Sequence, residues 1–322
     1  MQKILFVNMP HTEEYRARIE EACAGKYEPV LFDHKLRRNE YDEMIPDTAA
    51  IIGSVYPAWL GDAPQLRWVQ VASAGVNPFV GKKLPEGMAL TNASGAFGPT
   101  IAEHQLSLLL ALARRVPAYV RNAENGVWHD FGSEWQVRGK KALILGTGDL
   151  GTELAKRLKA FECVITGVCR SDDTPRPPYD RIVRSEALDR ELPEADMVFG
   201  CLPSTGETRH MLNAERLAAM KEDAILINVG RGDLIDTEAL TALLREGRFF
   251  GVGLDVTDPE PLPPSHPLWK MENVIITPHV AGISFGHLGD TQSYIWELAL
   301  DNLARFCSGG ELRNKVDLGL GY

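Results

Sequence analysis

The chain carries two successive series of short apolar segments, each rich in Val, Ile and Leu and each followed by a helical or loop pattern. The first series is KILFVN, PVLFD, AAIIGSV, RWVQVAS and MALTN. The second is KKALILG, CVITGVCR, RIVRS, MVFGCLP, AILINVG, GVGLDV and VIITPH. Segments this short and this uniformly apolar read as strands covered on both faces. Their alternation with helices argues for parallel sheets, because a parallel pair needs a crossover long enough to hold a helix. Two such series in 322 residues fit two domains, each with its own core. The expected fold class is α/β, with two doubly wound parallel-sheet domains.

Between the series lies TIAEHQLSLLLALARR, Thr100 to Arg115, an apolar-periodic helix placed after Gly98-Pro99, where proline suits a helix start. This helix is expected to join the domains. A second long helical pattern runs from about Gly289 to Phe306, and no nucleotide-type strand series follows it. The chain is therefore expected to cross back, so that residues 1–99 with 287–322 form one domain and residues 100–286 the other. The stretches TPRPP and PEPLPPSHP read as short proline-rich loops.

The net charge of -10 disfavours nucleic acid and anionic membrane as partners, since both demand a basic surface. An anionic ligand must then be held by local cations. The longest apolar run, Leu106 to Ala113, falls well short of the roughly 20 residues of a membrane span. The start, MQKILFVNMP, reads as a first strand rather than an export signal, so a cytoplasmic location is expected. The five cysteines (Cys23, Cys163, Cys169, Cys201 and Cys307) are scattered and form no C-x-x-C pair. Free thiols in a reducing compartment fit best, and no metal site is expected.

GTGDLG, spanning Gly146, Thr147, Gly148, Asp149, Leu150 and Gly151, stands between an apolar strand and an amphipathic helix. In that context the three glycines serve a tight turn, a close backbone approach to a pyrophosphate, and helix–strand packing. The helix N-terminus then offers free N–H groups and partial positive charge to phosphate. About 20 residues on, where an NAD enzyme offers a carboxylate to the ribose, this chain has Cys169, Arg170 and Ser171. A guanidinium and a hydroxyl suit a 2'-phosphate, which favours NADP(H) over NAD(H). The other reading keeps NAD, with Arg170 stacked on adenine and Asp172 or Asp173 on the ribose.

Three further strand ends carry polar groups: Arg231 in NVGRGDLID, Asp255 and Glu260 in LDVTDPEPL, and His279 in TPHVAG. In a parallel sheet the carboxyl ends line the ligand crevice, so these side chains can converge although distant in sequence. Each has a plain reading alone: a surface cation, a loop carboxylate, a hydrogen-bonded turn histidine. Together they make the parts of a carbonyl reductase. An arginine fork binds a 2-oxo carboxylate and polarises its carbonyl, a histidine delivers the proton, and a carboxylate beside it favours its protonated form.

The motifs GTGDLG, LPSTGETRH, NVGRGDLID, LDVTDPEPL and TPHVAG, with the ending NLARF...LRNKVDLGLGY, resemble the D-isomer-specific 2-hydroxyacid dehydrogenase family across essentially the whole chain. The resemblance implies a Rossmann nucleotide-binding domain inserted in a flavodoxin-like substrate domain, whose closure brings the reacting groups together. It implies that Arg231 orients the substrate, that His279 is acid in reduction and base in oxidation, and that Glu260 tunes His279. It assigns Asp255 to the nicotinamide carboxamide and places Thr100, Leu202, Pro203, Thr208, Val229 and Gly230 among the cofactor contacts. In VASAGVNP, the backbone N–H groups of Ala74, Gly75 and Val76 match the carboxylate-binding loop, and Tyr56 falls in another loop near substrate; a plain glycine turn is the other reading of VASAGVNP.

Phe97 and Pro99 in AFGPTIAEH resemble the glyoxylate and hydroxypyruvate reductase branch, which favours those two acids as substrates and leaves pyruvate, phenylpyruvate and branched 2-oxo acids open, while the family resemblance implies a homodimer. Trp128 is read either as reaching a neighbouring subunit's site or as interface core. His104 is read as a satisfied core or hinge residue, and His287 as a further candidate for the cleft. Rival readings are formate or phosphite oxidation on the same scaffold, and a non-catalytic NAD(H)-sensing corepressor.

Overall fold

The computed structural model describes residues 1–32, 34–61, 63–132, 135–170, 173–282 and 290–320. The chain divides into two compact units, Met1–Phe97 with Ser284–Tyr322, and Gly98–Ile283.

Unit 1 is a five-stranded sheet: β1 (Lys3–Val7), β2 (Glu28–Leu31), β3 (Thr48–Gly53), β4 (Trp68–Gln70) and β5 (Ala89–Thr91), in the order β2-β1-β3-β4-β5. All pairings are parallel, and the order is that of flavodoxin-like sheets. Side chains alternate between faces, as a period of two demands. Ile4 and Phe6 of β1 join one core with Trp68 and Ile52, while Leu5 and Val7 join another with Ile51 and Val69. Both faces of β1 are thus buried, which accounts for its unbroken apolar sequence.

Helices α1 (Glu13–Cys23) and α2 (Arg38–Met44) flank this sheet. Thr12 caps α1, its hydroxyl accepting from the Tyr15 N–H. The last long helix, Asp290–Ser308, packs beside α1: Trp296 stacks on Tyr15 at 4.9 Å, and Arg18 pairs with Glu297 at 2.6 Å. It ends as its sequence directs, with Gly309 in the left-handed region and the Gly310 N–H returning to the Arg305 carbonyl at 2.7 Å.

A buried polar network fixes this helix to the sheet. Trp68 Nε1 donates to Thr91 Oγ1 (2.8 Å), and Thr91 Oγ1 in turn donates to Gln70 Oε1 (2.8 Å). Asn302 Nδ2 also donates to Gln70 Oε1 (2.8 Å), while Asn302 Oδ1 accepts from the Arg313 N–H (2.8 Å). Asn302 is 1% exposed, so its loss strands buried partners. Asn302→Ala should cost about 1–3 kcal/mol of stability, read as a lower urea midpoint with an unchanged m-value.

Unit 2 opens with the joining helix α3 (Gly98–Ala113), two residues earlier than the apolar pattern marks, because Pro99 sits in its first turn. It ends before Arg115, which takes a left-handed φ of 52°, and α4 (Val116–Glu124) follows. The seven-stranded sheet comprises β6 (Lys141–Leu145), β7 (Val164–Cys169), β8 (Arg181–Arg184), β9 (Met197–Gly200), β10 (Ile225–Asn228), β11 (Gly251–Leu254) and β12 (Val274–Ile276). Its order is β12-β11-β10-β9-β6-β7-β8, all parallel.

Helices α5 (Asp149–Lys159), α6 (Leu188–Glu191), α7 (Ala214–Ala219) and α8 (Thr237–Arg245) lie between these strands, and the last long helix is α9. Ala142 and Ile144 of β6 face one core, Leu143 and Leu145 the other. Strand order reverses between β6 and β9, the switch point where a doubly wound sheet opens a ligand crevice.

Candidate active site

The glycine turn sits at that switch point. β6 ends at Leu145, Gly146 takes φ +107°, and Gly148 caps α5. At Gly151 a Cβ would stand 2.0 Å from the Gly146 carbonyl oxygen, so only glycine lets α5 start this close to the strand. Nothing lies within 4 Å of where a Cβ at Gly148 would stand. That open ground before a helix N-terminus suits a pyrophosphate. The dinucleotide is thus matched by the backbone shape, and not by sequence spacing alone.

Cys169 ends β7, with Arg170 half-exposed beside it and Nη1 at 3.9 Å from Glu207. Ser171 and Asp172 lie outside the described residues. Asp173 has a partner already, Arg184 Nε at 3.4 Å. Leu202 and Pro203 follow β9, and Thr208 closes the same loop, donating to the Pro203 carbonyl at 2.7 Å. Val229 and Gly230 follow β10, the Gly230 N–H bonding Asn228 Oδ1 at 3.1 Å. Thr100 is half-buried in the first turns of α3.

Arg231 comes next, its backbone held by Asn228 Nδ2, which donates to the Arg231 carbonyl at 2.8 Å. Its Nη1 donates to the Gly230 carbonyl at 2.7 Å. Burial pushes the guanidinium below its usual range, and Glu260, then Asp233, act against that shift. At Gly232 a Cβ would stand 2.0 Å from the Thr257 carbonyl oxygen. This close approach locks the arginine loop against the segment leading to Glu260.

His279 Nδ1 and Glu260 Oε1 are 2.7 Å apart, both side chains about half exposed. His279 has φ +54°, a left-handed conformation unusual for a histidine and one that needs support. Asp255 supplies it. Buried at 2% exposure, its Oδ1 accepts from Thr277 Oγ1 (2.5 Å) and the Val280 N–H (2.9 Å), and its Oδ2 accepts from the Ala281 N–H (3.0 Å). The Asp255 carbonyl accepts from the His279 N–H itself at 2.8 Å. His104 of α3 backs the same cluster, its Nε2 3.0 Å from Thr277 Oγ1. Among the described residues, unit 2 alone therefore brings Arg231, Glu260 and His279 to one end of its sheet.

In unit 1 the loop after β4 is anchored by its carbonyls. Ser73 Oγ donates to the Gly75 carbonyl (2.8 Å) and Asn92 Nδ2 to the Ala74 carbonyl (2.9 Å), with Val76 buried behind them. Tyr56 follows β3, is 52% exposed, and lies 5.0 Å from Trp59 between ring centroids. Strands β3 and β4 are neighbours, so both loops leave the carboxyl edge of one sheet. His287 lies outside the described residues.

The profile described as "D-isomer specific 2-hydroxyacid dehydrogenase, NAD binding domain" matches residues 106–281. A glyoxylate/hydroxypyruvate reductase of Arabidopsis thaliana is 34% identical over 98% of this chain and 94% of its own length. The chain belongs to the D-isomer specific 2-hydroxyacid dehydrogenase family. Among solved structures, a member of this dehydrogenase family from Aeromonas salmonicida superposes with a TM-score of 0.84 at 31% identity, covering 98% of this chain and 99% of that one. An NADPH-dependent glyoxylate/hydroxypyruvate reductase of Sinorhizobium meliloti, in complex with NADP and sulfate, gives 0.80 at 26%, covering the whole of both chains.

One residue of this dehydrogenase escaped the sequence reading. Arg176, in the TPRPP loop, reaches back so that Nη2 donates to Thr147 Oγ1 in the glycine turn at 2.9 Å. The sequence signal was a second arginine six positions after Arg170, in a stretch read only for its prolines.

Proposed function

We propose that the chain reduces the carbonyl of a small 2-oxo acid with NADPH to give the D-2-hydroxy acid, glyoxylate and hydroxypyruvate being the first candidates. The observation that carries this reading is the His279–Glu260 contact at 2.7 Å, set in a turn that Asp255 holds. With Nδ1 engaged by Glu260, His279 has Nε2 left to give a proton to the carbonyl oxygen. Arg231 takes the substrate carboxylate and draws charge from the carbonyl. The N–H groups of Ala74, Gly75 and Val76 offer a second carboxylate-binding element, and Tyr56 a wall for the side chain. The nicotinamide supplies the hydride when bound. The test is oxidation of NADPH followed at 340 nm with glyoxylate, hydroxypyruvate, pyruvate and a branched 2-oxo acid. No turnover with any of them, despite tight NADPH binding, would overturn the reading.

NADPH preference rests on the two guanidiniums. β7 ends without a carboxylate, Arg176 is tethered beside the phosphate turn, and Asp173 faces Arg184. The Sinorhizobium neighbour is itself NADPH-dependent. Loss of one charge-assisted hydrogen bond costs about 1.5–3 kcal/mol. Arg170→Ala and Arg176→Ala should therefore each lower kcat/KM for NADPH by about 10- to 100-fold and leave that for NADH unchanged. Equal losses with both cofactors would count against the reading.

A homodimer is favoured by the apolar residues left uncovered on and after α4. Val116, Tyr119, Val120 and Val127 are each 40% exposed or more, and Trp128 is fully exposed. Such a patch marks an interaction surface. Light scattering should give twice the monomer mass, and Trp128→Ser together with Val120→Asp should halve it.

A further inference from the structure

We propose that Cys23 and Cys307 are a redox-responsive pair that closes to a disulfide when a hydroperoxide oxidises the chain. Helices α1 and α9 run side by side in unit 1: Tyr15 of α1 lies on Trp296 and Arg18 pairs with Glu297, and Tyr27, four residues past the end of α1, meets Phe306. That register brings the end of α1 to the end of α9, where Cys23 and Cys307 stand. Both are free thiols, Cys23 buried in the core that Cys307 packs against. Lys26 fixes the meeting point, its Nζ donating to the Cys307 carbonyl at 2.8 Å.

The two thiols divide the chemistry unequally. Cys23 as hydrogen-bond partner and the Lys26 charge hold the Cys307 thiol below its usual range, against burial. The Cys23 thiol is pushed up by the same partnership and by burial. Cys307, half-buried, is therefore the sulfur that attacks, and Cys23 the one that resolves. The Cys307 thiolate takes the distal oxygen of the hydroperoxide, breaking the O–O bond. The sulfenic acid forms and an alkoxide or hydroxide leaves, to be protonated. Cys23 then attacks the Cys307 sulfur; the S–S bond forms, the S–O bond breaks, and the oxygen departs as water with the Cys23 proton. Both sulfurs are oxidised and the peroxide is reduced. Two other thiols compete poorly, desolvation pushing Cys163 to about 11 and Cys201 to about 12.

The bond would tie the first helix of unit 1 to its last, closing a loop that contains almost the whole chain. Such a closure restricts the unfolded state strongly. The test uses the full-length protein with hydrogen peroxide, followed by alkylation, digestion and mass spectrometry. The expected result is a Cys23–Cys307 linked peptide, two hydrogens lighter than its parts, reversed by dithiothreitol and absent in Cys307→Ser. The Tm should rise on oxidation and fall back on reduction in the native sequence only. If Cys23→Ala fails to fold, the peptide map of the native sequence and the half-buried Cys307→Ser variant still decide. Cys307 driven to sulfinic acid with Cys23 still alkylatable, or Cys169 consumed first while both stay reduced, would overturn the proposal.

Discussion

Replacing His279 with glutamine is expected to lower kcat for 2-oxo acid reduction by about 10²- to 10⁴-fold, the range a positioned general acid supplies. Glutamine keeps a polar side chain at the φ +54° turn, and the Asp255 bonds to the neighbouring backbone remain in place. The fold should therefore survive and NADPH should bind as before, measured by quenching of protein fluorescence. A variant within threefold of the native rate would remove His279 from the acid role. Glu260→Gln should weaken the same step less, because the neutral amide can still meet Nδ1 at the 2.7 Å contact but brings no negative charge to it.

Arg231→Ala is expected to be of similar size and to differ in kind. Truncating one partner of a buried, hydrogen-bonded charge pair costs about 2–5 kcal/mol, which is about 30- to several-thousand-fold in kcat/KM. The loss should divide between a raised KM for the 2-oxo acid and a lowered kcat, since the fork acts on the carboxylate in the ground state and on the carbonyl as charge develops. Arg231→Lys should recover little. An ammonium cannot reproduce the planar fork, and the Gly232 backbone, closed against Thr257, leaves the loop no freedom to shift toward the substrate. A purely KM effect would assign Arg231 to binding alone.

The strand plan was legible because each buried strand declares itself by an unbroken apolar run. KILFV and KALIL could be read this way since both faces are covered, one by Ile4 and Ile144, the other by Leu5 and Leu143. The glycine turn and the order of Arg231, Glu260 and His279 were legible because backbone approach and proton chemistry allow few residue types. Two features were not. Arg176 acts through a loop whose path back to Thr147 depends on tertiary structure, and no local period marks it. The donors around Asp255 are the second: its carboxylate accepts from Thr277, Val280 and Ala281, residues that follow β12 more than twenty positions on. Sequence reports that an acid stands at the end of β11, and not which donors it will meet. Helix limits moved by about two residues at α3 for a local reason: Pro99 opens the helix rather than preceding it.

The placement of α9 bears on the order in which the polypeptide matures. Unit 2 is a single uninterrupted stretch, Gly98–Ile283, and can condense as soon as it leaves the ribosome. Unit 1 cannot, because Trp296, Ala299 and Leu303 complete a core whose other walls, Ile4, Phe6 and Ile52, were synthesised first. Those early strands must wait, unsealed, through the translation of all of unit 2. A truncation before residue 290 would leave their apolar faces without a cover. Chaperone dependence during synthesis should therefore track the first hundred residues, although the missing piece lies at the other end.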